Sequence, residues 1–298
     1  MKRLSGIVVV ITVAAVVGLG ADRKFEKKIE VTSGGTFRLN TDVGSVSIVG
    51  ADTKEVSIVA EVSGARKDVN DFKIDAWKTD NGVEVRGESP RSNWGFNWGD
   101  LEVKYTVTVP HEYSMELNTS GGNVSLTSLK GRFRGETSGG DIRLKDLEGA
   151  ATMETSGGNI GAESVTGDLA LETSGGDISI RSVKGAVRVG TSGGNITVIG
   201  AEGKVHAETS GGSIVVRMPG SNQGVFAETS GGDIDIHVAE NIGATVDAST
   251  SGGDVSCDLP ITMQGKIDES RIRGNVNGGG ATIHAHTSGG NVRIKTLE

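Results

Sequence analysis

The sequence predicts an all-β chain: a single-chain β-solenoid of parallel, β-helix-like coils about 18 residues long, preceded by an N-terminal all-β cap. Three observations carry this. Thr-Ser-Gly-Gly occurs ten times, beginning at Thr32, Thr119, Thr137, Thr155, Thr173, Thr191, Thr209, Thr229, Thr250 and Thr287. From Thr119 the first five gaps are 18 residues, followed by 20, 21 and 37. Apolar residues alternate on both sides of each tetrad, the period of a strand with every second side chain inward. A fixed period near 20 residues means one structural unit stacked on copies of itself.

Residues 173–190 show the unit, with Thr173 as position 1. Ile178, Ile180, Val183, Val187 and Val189 are its apolar positions. One strand is expected at positions 14–18 and another at 5–9. The Ser-Gly-Gly corner joins them, and a glycine at position 13 (Gly131, Gly149, Gly167, Gly185, Gly203) makes a second corner. The corner glycines are Gly121, Gly122, Gly139, Gly140, Gly157, Gly158, Gly175, Gly176, Gly193 and Gly194. Two short strands cannot bury a core alone. Stacked at about 4.8 Å per coil, eight or nine of them make a rod about 40 Å long, with like residues in ladders.

The remaining segments are read in chain order. Residues 1–21 form a secretory signal: Lys2 and Arg3, an apolar run over 4–19, then small residues with cleavage after Gly20 or Ala21. The rival is an uncleaved membrane anchor, for which residues 4–20 are short. No cysteine follows the apolar run, which excludes an N-terminal lipid anchor. Residues 25–118 keep strand alternation without the 18-residue period and are assigned to the cap. The segment beginning at Thr32 starts a strand like those after the other tetrads, through Phe37 and Leu39. Residues 119–298 are the solenoid. The long gap before Thr287 holds one irregular coil.

Composition narrows the function. Glycine contributes 47 of 298 residues and proline only four, so small residues replace bulk in a folded chain. Net charge is −8, with no basic run beyond Lys27-Lys28, which speaks against nucleic acid. The lone Cys257 permits no internal disulfide and sits at an inward position as a small core residue.

The signal, the strands, Val109-Pro110 and then reiterated T-S-G-G-[DN]-[IV] together resemble a bacterial family labelled "putative adhesin", a domain of unknown function predicted to be a β-solenoid. The resemblance covers residues from about 30 to 298. It implies the fold and supplies no catalytic motif, while the signal at 1–21 implies work outside the cytoplasm.

The candidate sites are few. Asn or Asp fills position 5 (Asn123, Asp141, Asn159, Asp177, Asn195, Asp233, Asp254, Asn291), with Ser213 the exception. This column is expected to bond the corner backbone rather than to bind calcium. Glu136, Glu154, Glu172, Glu208 and Glu228 form an outward acidic column that keeps the surface solvated. His284 and His286 share one strand face and read as a surface pair, a metal needing a third ligand. Trp94, Phe96 and Trp98 lie in a Gly/Asn loop over residues 92–100, which is either a contact surface or a plug for the gap between cap and solenoid. No catalytic, cofactor or metal residue is assigned. The leading expectation is an exported, non-enzymatic, adhesin-like solenoid that meets an envelope protein or a glycan. The alternatives are a carbohydrate-binding or polysaccharide-processing β-helix and an envelope-stress or signalling accessory domain.

Overall fold

Most of the described residues lie in short strands in the computed structural model, which describes residues 21–89, 101–263 and 269–297. The fold is an all-β solenoid built on parallel strands. The chain divides into two compact units, Met1–Thr137 and Ser138–Glu298.

In the first unit the parallel pattern reaches back to Gly35. Strand Gly35–Thr41 lies parallel between Gly82–Glu88 and Tyr113–Thr119. Strand Ser45–Ala51 lies parallel between Glu102–Pro110 and Val124–Lys130. Antiparallel strands finish the end: Glu55–Gly64 on Glu102–Pro110, Ala21–Glu30 outside it, and Lys73–Thr79 on Gly82–Glu88. Register corrects the reading of the first tetrad. Thr41, not Thr32, pairs with Thr119, and Phe37 and Leu39 pair with Met115 and Leu117. The true corner of that coil is therefore 41–44, where the Thr119 hydroxyl donates to the Gly44 carbonyl at 3.0 Å. Tyr105 and Tyr113 fill the core; burial pushes the Tyr105 hydroxyl up to about 12, and it bonds Thr41 Oγ1 at 3.0 Å. One helix, Arg66–Asp71, was not expected; it buries Val69 and delivers the buried Phe72. Cations then satisfy carbonyls at the open end. Arg23 donates to the Phe72 carbonyl, Lys27 to Ala76 at 2.5 Å and Lys78 to Glu30 at 2.6 Å.

In the second unit each 18-residue repeat supplies one strand to each of two sheets. Ile178–Lys184 belongs to the first sheet and Val187–Thr191 to the second. The first-sheet strand spans positions 6–12, longer than alternation suggested. It contains a residue at position 10 in the left-handed region: Asp146 (φ 52°), Ser164 (φ 56°) and Ser182 (φ 57°), with Gly200 (φ 73°) in the next coil. This bend returns the side chain at position 11 to the core, so Leu147, Val165 and Val183 are buried. Left-handed backbone costs a non-glycine residue about 1 kcal/mol. Ser182→Gly is therefore expected to raise the melting temperature by a few degrees, and Ser182→Val to lower it, as read by thermal unfolding.

The order of coils in space differs from their order in sequence. Strand Thr282–Thr287 inserts between Val225–Thr229 and Ala244–Thr250. Strand Val292–Thr296 inserts between Ile234–Val238 and Val255–Cys257. The last coil of the chain is thus the penultimate rung of the stack. Instead of a single irregular coil, the segment before Thr287 contains Arg271–Val276, antiparallel on Ala244–Thr250, and Ile261–Met263, antiparallel on Arg271–Val276 outside it. Cys257 lies in the edge strand and is half-buried, so it is not a core residue; burial pushes its thiol up.

Candidate functional site

The tetrad is accounted for by packing. Its threonine is buried at the strand end: the Thr173 hydroxyl donates to the Gly158 carbonyl of the preceding coil at 2.8 Å and accepts from its own Gly176 N–H at 3.3 Å. The same pair of bonds recurs at Thr155, Thr191 and Thr209. The two glycines differ. A Cβ on Gly158, Gly176 or Gly194 would lie 2.0 Å from the previous coil's carbonyl oxygen, and one on Gly122 would lie 2.5 Å from Gly44. A Cβ on Gly121 or Gly139 meets nothing within 4 Å, and on Gly157, Gly175 or Gly193 it stays at least 3.5 Å from the coil below. The Gly140 carbonyl accepts from Thr155 Oγ1 at 2.9 Å.

Position 5 forms a hydrogen-bonded ladder. The Asn159 N–H donates to Asp141 Oδ1 at 2.9 Å, Asp177 N–H to Asn159 Oδ1 at 2.9 Å and Asn195 N–H to Asp177 Oδ1 at 2.7 Å. The Asn159 and Asn195 amides also donate to the same carboxylate oxygens at 3.3 Å. In sequence Asp233 and Asp254 occupy successive repeats. In space Asn291 stands between them, donating to Asp233 at 2.7 Å and accepting from Asp254 at 3.0 Å. No two carboxylates in this unit's ladder are neighbours, and like charges at one-rung spacing would repel. Asn291 and Arg293 hold the Asp233 carboxyl below its ordinary value.

The least repetitive chemistry faces outward from the second sheet. In Val205–Thr209 the inward residues are Val205, Ala207 and Thr209, which leaves His206 and Glu208 outside. Register stacks His206 on Phe226, Phe226 on His284 and His284 beside Asp247. The rings are parallel: His206 to Phe226 at 4.6 Å and 4°, Phe226 to His284 at 4.9 Å and 17°. The acidic column runs alongside. His284 Nε2 bonds Glu228 Oε1 at 3.2 Å. His206 Nε2 lies 3.1 Å from Glu208 Oε1, close enough for an ion pair, although its ring nitrogen is buried and not aligned for a hydrogen bond. Further along, His286 Nδ1 pairs with Ser249 Oγ at 3.0 Å, and Asp247 bridges Arg271 at 3.2 Å and Arg273 at 2.5 Å.

This placement separates the two histidines read from sequence. His284 belongs to the stacked column and His286 to the acidic one. Among the described residues no three His, Cys, Asp or Glu side chains gather to hold a metal. Phe226 was missed because a two-residue insertion before it shifts its count from Thr209; counted back from Thr229 it falls in line with His206. Trp94, Phe96 and Trp98 lie outside the described residues, as does the signal at 1–20.

Asp247 gives the face an acid limit. Arg273 and Arg271 hold its carboxyl below the usual carboxylate value. That stabilisation is complete above about pH 4 and is lost as the pH falls through the lowered folded-state value. Melting temperature is expected to fall below pH 4 in the wild type and to fall less steeply in Asp247→Asn.

A family model described as Toastrack DUF4097 matches residues 36–295. Similar solved structures include a putative lipid binding protein from Parabacteroides distasonis, 16% identical with a TM-score of 0.49 over 92% of this chain and 97% of that one. A putative adhesin from Bacteroides fragilis is 16% identical, with a TM-score of 0.42 over 92% and 97%. A putative cell adhesion protein from Clostridium sporogenes is 12% identical, with a TM-score of 0.26 over 93% and 100%. A search of curated proteins returns no match. With the family model matching nearly the whole solenoid, the chain belongs to the Toastrack DUF4097 family.

Proposed function

We propose that this chain is an exported, non-enzymatic, adhesin-like solenoid whose outer sheet faces bind components of the cell envelope. The observation that supports this is the outward register of the second unit. Coil stacking turns single residues into continuous exposed columns, and one of them is an unbroken His206–Phe226–His284 stack beside carboxylates. Half-exposed aromatic surface next to charge suits contact with a partner. Export is supported by the basic-apolar-small pattern of residues 1–21. Among the described residues no helix is long and apolar enough to cross a membrane.

The test is binding of the purified chain to isolated envelopes of its source cell. Phe226→Ala with His284→Ala should weaken binding while thermal unfolding still reports a folded solenoid. Unchanged binding in that variant would move the contact elsewhere, and the Trp94–Trp98 loop is the next candidate. Absence of any envelope binding, or turnover of an envelope glycan, would refute the proposal.

A further inference from the structure

We infer that the outer face of the first sheet in the second unit binds a linear acidic polysaccharide that carries its charge on every second sugar. This deepens the surface function proposed above and rests on it, but it concerns the opposite face. The observation is a row of cations visible only in spatial order. At position 9, paired strands place Lys145 beside Glu163, Glu163 beside Arg181, Arg181 beside Ile199 and Ile199 beside Arg217. The row continues through His237 to Lys295, because the inserted C-terminal coil is the next rung. Lys145, Arg181, Arg217 and Lys295 therefore occupy the first, third, fifth and seventh of seven rungs.

Rung spacing of about 4.8 Å puts these cations about 10 Å apart along a line of about 29 Å. Each follows a buried residue and points outward, as in Ile180-Arg181 and Val216-Arg217. Although Glu163 is the register neighbour of Lys145 and Arg181, none of the four cations forms an ion pair within 4 Å among the described residues. Beside the row, position 7 is small on three middle rungs, Gly161, Ser179 and Thr197, with Arg143 before them and Val215, Asp235 and Arg293 after them, so the open track for a chain runs beside Glu163, Arg181 and Ile199. Between the cations, Glu163 can accept from sugar hydroxyls, and Ile199 offers an apolar contact for a ring.

Charge density selects the ligand. Residues 138–298 carry 12 Lys and Arg against 20 Asp and Glu, so a densely charged polyanion is repelled by the unit as a whole. Duplex nucleic acid, with one charge per about 1.7 Å of axis, cannot match cations spaced two rungs apart. A polymer with an acidic group on alternate sugars presents sparse charges in a line, matching the row.

The experiment uses the whole chain and measures binding to four probes: hyaluronan oligosaccharides with a uronate on alternate sugars, polygalacturonate with one on every sugar, neutral dextran, and phosphatidylglycerol vesicles. Hyaluronan is expected to bind best, with affinity falling as salt rises. Arg181→Ala with Arg217→Ala should weaken it about tenfold or more at unchanged melting temperature. The inference is overturned if polygalacturonate or vesicles bind equally well or better. It is also overturned if the double variant binds hyaluronan like the wild type, or if no probe binds. Should no probe bind while isolated envelopes still do, the ligand class falls and the surface function stands.

Discussion

A chain ended at Gly280 is expected to lose the C-terminal part of its second unit. Removing residues 281–298 takes out Ile283, Ala285, Val292 and Ile294, all fully buried, and empties a rung that is paired on both sides in both sheets. Burying an Ile or Val side chain contributes about 1.5–3 kcal/mol. The direct loss is then on the order of 5–9 kcal/mol, comparable to the whole net stability of a domain. The empty slot also leaves Val225, Ala227, Val246 and Ala248 without neighbours on one side and brings Asp233 opposite Asp254 with no asparagine between them. Thermal unfolding should show an early transition absent from the wild type, with proteolysis concentrated after Met218. A synthetic peptide of residues 281–298 added in trans should restore protection, since strand addition supplies both core residues and backbone bonds. A truncated chain that melts like the full one would mean the inserted coil contributes nothing to the stack.

That insertion also marks where the sequence stopped being legible. Alternation identified Ile178, Ile180, Val183, Val187 and Val189 as inward, and all five are buried. The period identified the fold because many copies in register leave few other ways to bury short strands. The same regularity hides coil order. Every coil offers the same edge, so nothing in the repeat says which copy stacks on which. The clue was the position-5 ladder: Asp233 and Asp254 as sequence neighbours break the alternation of acid and amide that the Asn291 rung restores. The register of Thr32 was hidden for a related reason. A tetrad can mark either corner, and only the pairing of Thr41 with Thr119 shows which one. The outward faces were legible in part. The acidic column follows directly from the period, whereas the Phe226 stack and the cation row depend on an insertion and on the displaced last coil.

The two glycines of one corner should respond oppositely to the same methyl group. Gly194→Ala places a Cβ 2.0 Å from the Gly176 carbonyl oxygen and 2.4 Å from its carbon. Both atoms are backbone, held by the Thr191 hydroxyl that donates to that carbonyl, so no side chain can swing aside. The coils must part locally, and Thr209, which donates to the Gly194 carbonyl, loses its geometry on the next rung. Overpacking of this kind costs about 3 kcal/mol. Gly193→Ala places its Cβ 3.5 Å from the Gly175 oxygen on an exposed corner, an ordinary contact. Its effect should stay within about 0.5 kcal/mol and can favour folding, because alanine restricts the unfolded chain. Urea unfolding of the two single variants measures the difference directly. Equal destabilisation would show that the corner's conformation, not the approach of successive coils, demands glycine. The expected asymmetry would show that the second glycine is a packing requirement of the solenoid.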